Sequence, residues 1–406
     1  MVEKEVFQFL DFEQRLKAAL GKFRPPDLSN VWSREMYSHL WEDFDEVRPI
    51  KTVAVADGSS INVQYRTVTV DVAWALAHIY NIETKKLETH VSGVDVEAGY
   101  RRTEYQKNAL MRTLELKVLR QAIEAGAGLG IRDGSLYFVL TSKRMKATDE
   151  DVVMSLKALN DLTAKPAIGV SKDSTVSYVR IHRIVEKIRD FNIPAPFYRQ
   201  SDRVAAWLRQ RPSTLTPVFE AELHYDYPDE TLFDTTDRSG FSKPLALAPA
   251  NLTTAPDFGT VTWWNTQLRR SYLPEVLAAF DAHYSLPPFV ITYWKPKGWH
   301  KTFRIDVPGS MLGITMKAGD MKEDVWVEDD AAISKLRFIL AQLNSLPLTP
   351  TGLQFINEVD EIVHRYGGSN SLPYKLFIAE ELRKRGFDVS TTRSALRNFA
   401  IRGYKR

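Results

Sequence analysis

Cysteine is absent from the 406 residues, which removes disulfides, thiolate metal sites and thiol nucleophiles and leaves oxygen and imidazole groups as the strong ligands. A metal held by this chain is therefore expected to be a hard cation, Mg²⁺ or Mn²⁺. Long apolar runs are missing too: no stretch of about 18 apolar residues occurs, as a membrane-spanning helix requires. The opening "MVEKEVFQFLDFEQRLKAAL" carries acids from its third residue and lacks the apolar centre of a secretory signal. A cytoplasmic protein with no membrane partner is expected. A large charge of one sign is also lacking, since 54 Lys and Arg stand against 51 Asp and Glu, a net +3. That sum does not by itself call for nucleic acid, although a local basic face would be hidden in it.

What is present, 44% hydrophobic and 26% charged residues, is the composition of a globular protein able to bury a sizeable core. Residues 1–30 read as a helix, with Phe7, Leu10, Phe12, Leu16 and Leu20 at helical intervals, followed by the linker "GKFRPPDLSN". Residues 31–406 read as one α/β domain. It opens on the Val-, Ile- and Thr-rich "KTVAVADGSSINVQYRTVTVDVAWALAHIY", the pattern of adjacent strands. The period then changes to that of a helix from Thr103 to Ala125, which "GAGLG" ends. Helical "DEDVVMSLKALNDLTAK", strand-like "PAIGVSKDS" and amphipathic "YVRIHRIVEKIRDF" continue the alternation of a mixed sheet flanked by helices. Residues 214–308 are rich in aromatics and proline. Residues 350–406 form a C-terminal helical part, including "LQFINEVDEIVHRY" and "LFIAEELRKRG".

The triplet Asp-Gly-Ser occurs twice after an apolar run, in "VAVADGSSINV" at Asp57 and in "LGIRDGSL" at Asp133. Asp-Gly is a favoured turn for backbone reasons alone. Each aspartate, however, is expected to end a strand, and open α/β sheets place ligand sites beyond strand ends. On a wheel of about 100° per residue, Glu115 lies within about 60° of Met111, Val118, Leu119 and Ala122, in the middle of an apolar stripe. A buried carboxylate must be paired, protonated or metal-bound. Arg112 at the stripe's edge, with Glu104 on the same face, keeps ion pairing open beside ligation. If Asp57, Glu115 and Asp133 converge, they form an acidic pocket for one or two hard cations, the site of an in-line phosphoryl displacement. Lys172, after "AIGVS", is placed to meet a phosphate or to be a solvated lysine.

The ordered set "VAVADGS", "MRTLELKVLRQAI", "IRDGSL" and "AIGVSKDS" resembles the NurA nuclease family. The resemblance implies an RNase H-like fold and a Mn²⁺- or Mg²⁺-dependent deoxyribonuclease with two ions, acting on single-stranded and end-resected DNA, with 5′ to 3′ exonuclease activity. It also implies a homodimer and a HerA-type hexameric ATPase as partner. Asp57, Glu115 and Asp133 would be metal ligands, and Lys172 would contact the substrate or the pocket. Toward the C-terminus the family carries a pattern like Tyr-Pro-x-Pro-Leu-x-x-Ala-His. Set on "LPYKLFIAE", it leaves Pro373, Leu376 and Ala379 in place, Leu372 for the tyrosine with Tyr374 nearby, and Glu380 for the histidine as a further metal ligand.

Other signals are weaker. His224 and Asp226 in "ELHYDYP" have the spacing of one strand face, and His300 lies in "GWHKTFRIDVP". Trp263 and Trp264 near Arg269 and Arg270 suit stacking on unpaired bases and holding their phosphates, or packing in a core. "GAGLG" fits neither phosphate-loop spacing. The tail from Arg383 to Arg406 holds eight Lys or Arg, a surface for DNA or a partner or a solvated terminus. Two other functions fit the same residues: a DNA-binding adaptor of a ring ATPase whose active site has eroded at Leu372 and Glu380, and another RNase H-like phosphoryl transferase.

Overall fold

The computed structural model describes residues 12–18, 37–100, 102, 104–137, 149–191, 201–210, 227–249, 274–349, 352–367 and 371–389. Residues 12–18 are helical, within the expected N-terminal helix. After the short strand β1 (Trp41–Asp43) come three long antiparallel strands, β2 (Thr52–Gln64), β3 (Thr69–Asn81) and β4 (Lys86–Gly99). The helix α1 (Glu104–Glu124) leads to β5 (Leu129–Asp133), α2 (Asp149–Thr163) to β6 (Ala167–Ser171), and α3 (Tyr178–Asp190), α4 (Ser201–Leu208) and α5 (Asp229–Asp234) follow. The chain then forms β7 (Gly240–Ser242), β8 (Leu245–Ala246), α6 (Pro274–Tyr284), β9 (Phe289–Lys295), β10 (Phe303–Pro308), α7 (Gly309–Leu312) and β11 (Val325–Trp326). It ends in α8 (Asp330–Leu343), β12 (Leu348–Thr349), β13 (Gly352–Leu353), α9 (Gln354–Gly367) and α10 (Leu372–Lys384).

One mixed sheet runs β1-β7-β9-β10-β6-β5-β2-β3-β4, with β8 on β9 and β11 on β8. β5 is parallel to β2 and β6 is parallel to β5, whereas β10 runs antiparallel to β6. Both faces of β2 are buried and differ in bulk. Ala54 and Ala56 face Leu110, Leu114, Leu119 and Ile123 of α1, and their small side chains let that helix lie close to the sheet. Val53 and Val55 face the other way, into a core shared with Leu336 and Leu340 of α8 and Ile356 and Val359 of α9. This alternation continues into the site, because side-chain direction in a strand has a period of two. Farther along, α10 covers Ile61, Val63 and Val70 with Leu382 and Ile378.

α1 ends as its glycines suggest. Gly126 has φ +115° and donates to the Ile123 carbonyl at 3.0 Å, while Ala127 donates to Ala122 at 3.3 Å, a Schellman closure that turns the chain into β5. The β3–β4 end of the sheet is tied to α2 by Arg102, whose Nε lies 2.6 Å from the fully buried Asp71, with Glu97 at 2.5 Å and Asp151 at 3.8 Å. Asp71 also accepts from Asn62 Nδ2 at 2.5 Å. Removing the cation strands a buried carboxylate. Arg102→Met is expected to cost about 3 kcal/mol of stability, and clearly less in an Asp71→Asn background, as read by urea unfolding.

Candidate metal centre

Pairing between β2 and β5 stops at Ala56 and Arg132. Asp57 and Asp133 are the next residues on each strand, and both follow the parity of Val55 and Ile131, which belong to the core on the α9 face. α9 lies across β2 there and adds Asp360. Carboxylate oxygens of Asp57, Asp133 and Asp360 all lie within 4.8 Å of one another, and all three residues are half-buried. Lys172, just past β6, reaches the same place: its Nζ is 3.4 Å from Asp133 Oδ2 and donates to Asn357 Oδ1 of α9 at 3.1 Å. Asn357 Nδ2 is in turn fixed by Thr349 Oγ1 at 3.0 Å.

Asp57 does not end its strand, contrary to the sequence expectation. β2 continues to Gln64 because β3 pairs with it along its whole length, so Asp57 sits mid-strand where only β5 has stopped. The two Asp-Gly-Ser triplets therefore do different work. Gly58 needs no special dihedral; it leaves room on the α1 face, where an added Cβ would lie 2.5 Å from Glu115 Oε1. Gly134 is a genuine turn residue with φ +100°. Ser135 to Tyr137 bend back over Gly169, whose lack of a side chain admits the Gly134 carbonyl and the Leu136 amide. Asp306 of β10 pins that bend, accepting from Ser135 Oγ at 2.5 Å and the Tyr137 amide at 2.9 Å, and is itself paired with Arg304 at 2.7 Å.

Glu115 is buried, as its wheel position implied, and is paired. Its partner is Arg132 rather than Arg112: Nε donates to Glu115 Oε2 at 2.8 Å, and Nη2 donates to the same oxygen. Arg132 has the parity opposite to Asp133, so it faces α1 while Asp133 faces α9. Glu115 thus adjoins the cluster from the far side of β2, with Oε1 against Gly58. The pKa of Arg112, half-buried beside Arg132, is pushed down to about 10, by desolvation first and then by that neighbouring cation.

Glu380 is not brought to the cluster. It lies on α10 with its side chain 63% exposed, paired with Lys384 at 3.2 Å, because α10 packs on the distal half of β2 and β3. The residue missed from the sequence is Asp360. Setting the C-terminal pattern on it places Ile356 at the leucine, Val359 at the alanine and Asp360 at the histidine. The signal was the one that exposed Glu115: an acid bordering the apolar stripe of Phe355, Ile356, Val359 and Val363. His300 lies exposed in the β9–β10 loop. His224, Asp226, Trp263, Trp264, Arg269, Arg270 and residues 390–406 lie outside the described residues, as does the Glu104 side chain.

The electrostatics are those of a crowded anionic site. Burial raises Asp57, and the charges of Glu115, Asp133 and Asp360 add to it against the opposing Gly58 amide, giving about 7. Asp133 is also raised, by burial, with Lys172 opposing. A half-buried cluster of hard oxygen donors fits a divalent cation of the Mg²⁺ or Mn²⁺ type.

An α/β protein with a carboxylate cluster beside the ends of its parallel strands is thus the class that fold and site define. The family model for the NurA domain matches residues 51–358, and the chain belongs to the NurA nuclease family. The NurA nuclease from Sulfolobus solfataricus is similar in structure, 12% identical with a TM-score of 0.51, over 95% of this chain and 98% of that one. Two further NurA structures are more distant. One with manganese is 11% identical with a TM-score of 0.38, covering 92% of this chain and 98% of that chain. One bound to dAMP and manganese is 12% identical with a TM-score of 0.37, covering 86% and 92%. No curated protein matches. Among the described residues, no helix is long and apolar enough to cross a membrane.

Two outcomes follow from this geometry. Asp57 binds its proton more tightly in the folded chain than in the unfolded one, so its contribution to stability is complete below about pH 4 and is lost as pH rises through about 7. In EDTA, Asp57→Asn is expected to raise the melting temperature by about 1–3 °C at pH 8 and by less at pH 5, measured by scanning calorimetry. Gly58→Ala is expected to destabilise the fold by about 1–3 kcal/mol, since Glu115 cannot retreat from the new methyl without leaving Arg132; denaturant unfolding checks it.

Proposed function

We propose that this chain is a divalent-metal-dependent deoxyribonuclease that hydrolyses phosphodiester bonds in single-stranded DNA and at resected ends. The observation that carries this reading is the convergence of Asp57, Asp133 and Asp360 within 4.8 Å, in a chain of the NurA family. These three residues would hold a Mn²⁺ or Mg²⁺ ion, with Glu115 Oε1 as the adjoining donor for a second. A pair of ions held there would supply activation of an attacking water and charge stabilisation of the leaving oxygen in an in-line displacement.

The chain's own residues do the rest. The Lys172 ammonium, steadied by Asn357, offers a positive charge beside the carboxylates where a phosphate oxygen would dock. Arg132 takes up one oxygen of Glu115 and keeps that carboxylate oriented. Asp57, raised to about 7 by burial and by the neighbouring acids, would have to be ionised to serve as a ligand. Asp360 takes the role expected of Glu380. An eroded adaptor therefore loses its main support, because the departures at Leu372 and Glu380 do not remove a carboxylate from the cluster.

The sheet order β4-β3-β2-β5-β6, antiparallel in its first three strands and parallel from β2 to β6, supports the RNase H-like reading. In the finer reading the protein is a homodimer that trims 5′ ends with a HerA-type hexameric ATPase. Exposed Val94 and Val96 on the edge strand β4, and Leu376 and Phe377 on α10, support a protein contact on that side.

Cleavage of labelled single-stranded DNA with Mn²⁺ tests the assignment. Asp57→Ala and Asp360→Asn are expected to slow it by roughly 10²-fold or more, with Glu380→Gln within about twofold of wild type. Unimpaired Mn²⁺-dependent cleavage by Asp57→Ala would overturn the site.

A further inference from the structure

The β9–β10 hairpin presents the segment Lys297-Gly298-Trp299-His300-Lys301 at the same end of the sheet as the carboxylate cluster. The register requires it: β10 pairs Arg304 with Ser171, antiparallel to β6, so the loop before Phe303 projects past the end of β6 beside Lys172 and Asp173. Lys301 Nζ lies 3.5 Å from Asp173 Oδ1, and Lys172 next to it lies 3.4 Å from Asp133. A line of side chains therefore leads from the carboxylates across β6 to the hairpin, two strand spacings or roughly 10 Å away.

The tip is built to hold something. Lys297, His300 and Lys301 are exposed, and Gly298 makes the turn with φ +74°. Trp299 is half-buried against the core, and its ring packs on that of His300, with centroids 5.3 Å apart and planes 32° from parallel. An anchored indole thus holds a solvent-facing imidazole. Among the described residues the two lysines make exposed ion pairs, with Asp45 at 2.9 Å and Asp173, which cost little to exchange for another anion.

Resting on the nuclease reading of the carboxylate cluster, we propose that residues 297–301 form a binding element for single-stranded DNA leading into that cluster. His300 is the platform on which an unpaired base stacks, and Lys297 and Lys301 meet the flanking phosphates. Aromatic and cationic groups in this combination bind single strands because every base has a π-face and every linkage a charge. A duplex keeps its bases stacked and has no use for the ring.

Anisotropy of a fluorescent oligothymidylate in EDTA tests the element without requiring catalysis. The double variant His300→Ala/Lys301→Ala is expected to bind at least fivefold more weakly at low salt. Its salt dependence should be shallower by about 0.7 for the lysine lost. Lys335→Ala, at the opposite end of β5, is expected to bind as wild type, and melting temperatures report that the variants are folded. In Mn²⁺, the double variant should cleave a small phosphodiester, bis(p-nitrophenyl) phosphate, at the wild-type rate while KM for the oligonucleotide rises. Wild-type affinity in the double variant, or an equal loss on a blunt duplex, would overturn the proposal. A wild-type protein that binds the oligonucleotide but never cleaves it would instead overturn the nuclease reading and leave the binding result to stand by itself.

Discussion

Mutual repulsion among Asp57, Asp133 and Asp360 is the constraint that the surrounding structure has to contain. Three carboxylate oxygens within 4.8 Å do not stay together through their own interactions; each is held by an element secured elsewhere. Asp57 is carried on a strand paired on both sides up to that point, Asp133 on a short parallel strand between β2 and β6, and Asp360 on a helix whose apolar side is buried in the core. Lys172 relieves part of the charge. Burial first, and then the neighbouring acids, shift Asp57 and Asp133 upward, a cost that a divalent cation held there would relieve.

The sheet also sorts charge by face. Successive residues Arg132 and Asp133 point to opposite sides, so a guanidinium that would neutralise the cluster is spent on Glu115 under α1. The buried ion pair and the half-buried anionic cluster are thus only one residue apart on β5 without cancelling. Gly58 puts no side chain between Glu115 and the backbone of β2, so the carboxylate lies close against the strand there.

Much of this was legible from residue patterns. The Val and Ala alternation of β2, the helical stripe of α1 and the glycines after it specified the meander, the helix and the next strand. Glu115 in an apolar stripe correctly implied a paired or ligating acid. Its actual partner, Arg132, was not legible, since it is set by strand parity and by how far α1 slides along the sheet. Asp57 reads as strand-terminal because Asp-Gly favours turns, yet pairing with β3 along thirteen positions outweighs that local preference. Asp360 is not legible from the short C-terminal motif, which can be set on either of two helices. Two consecutive amphipathic helices near the C-terminus look alike in sequence, and only packing tells that α9 crosses β2 at Asp57 while α10 lies beyond it.

The unbroken run of β2 through Asp57 also shapes the approach to the site. On one flank, β2, β3 and β4 extend past the carboxylates under the cover of α10; on the other, β5 and β6 stop level with them. Among the described residues the floor is therefore a step, with the long strands and α10 on one flank and the β9–β10 loop beyond the short strands on the other. The two flanks of the carboxylates thus differ in height and in chemistry, which gives the site a built-in left and right.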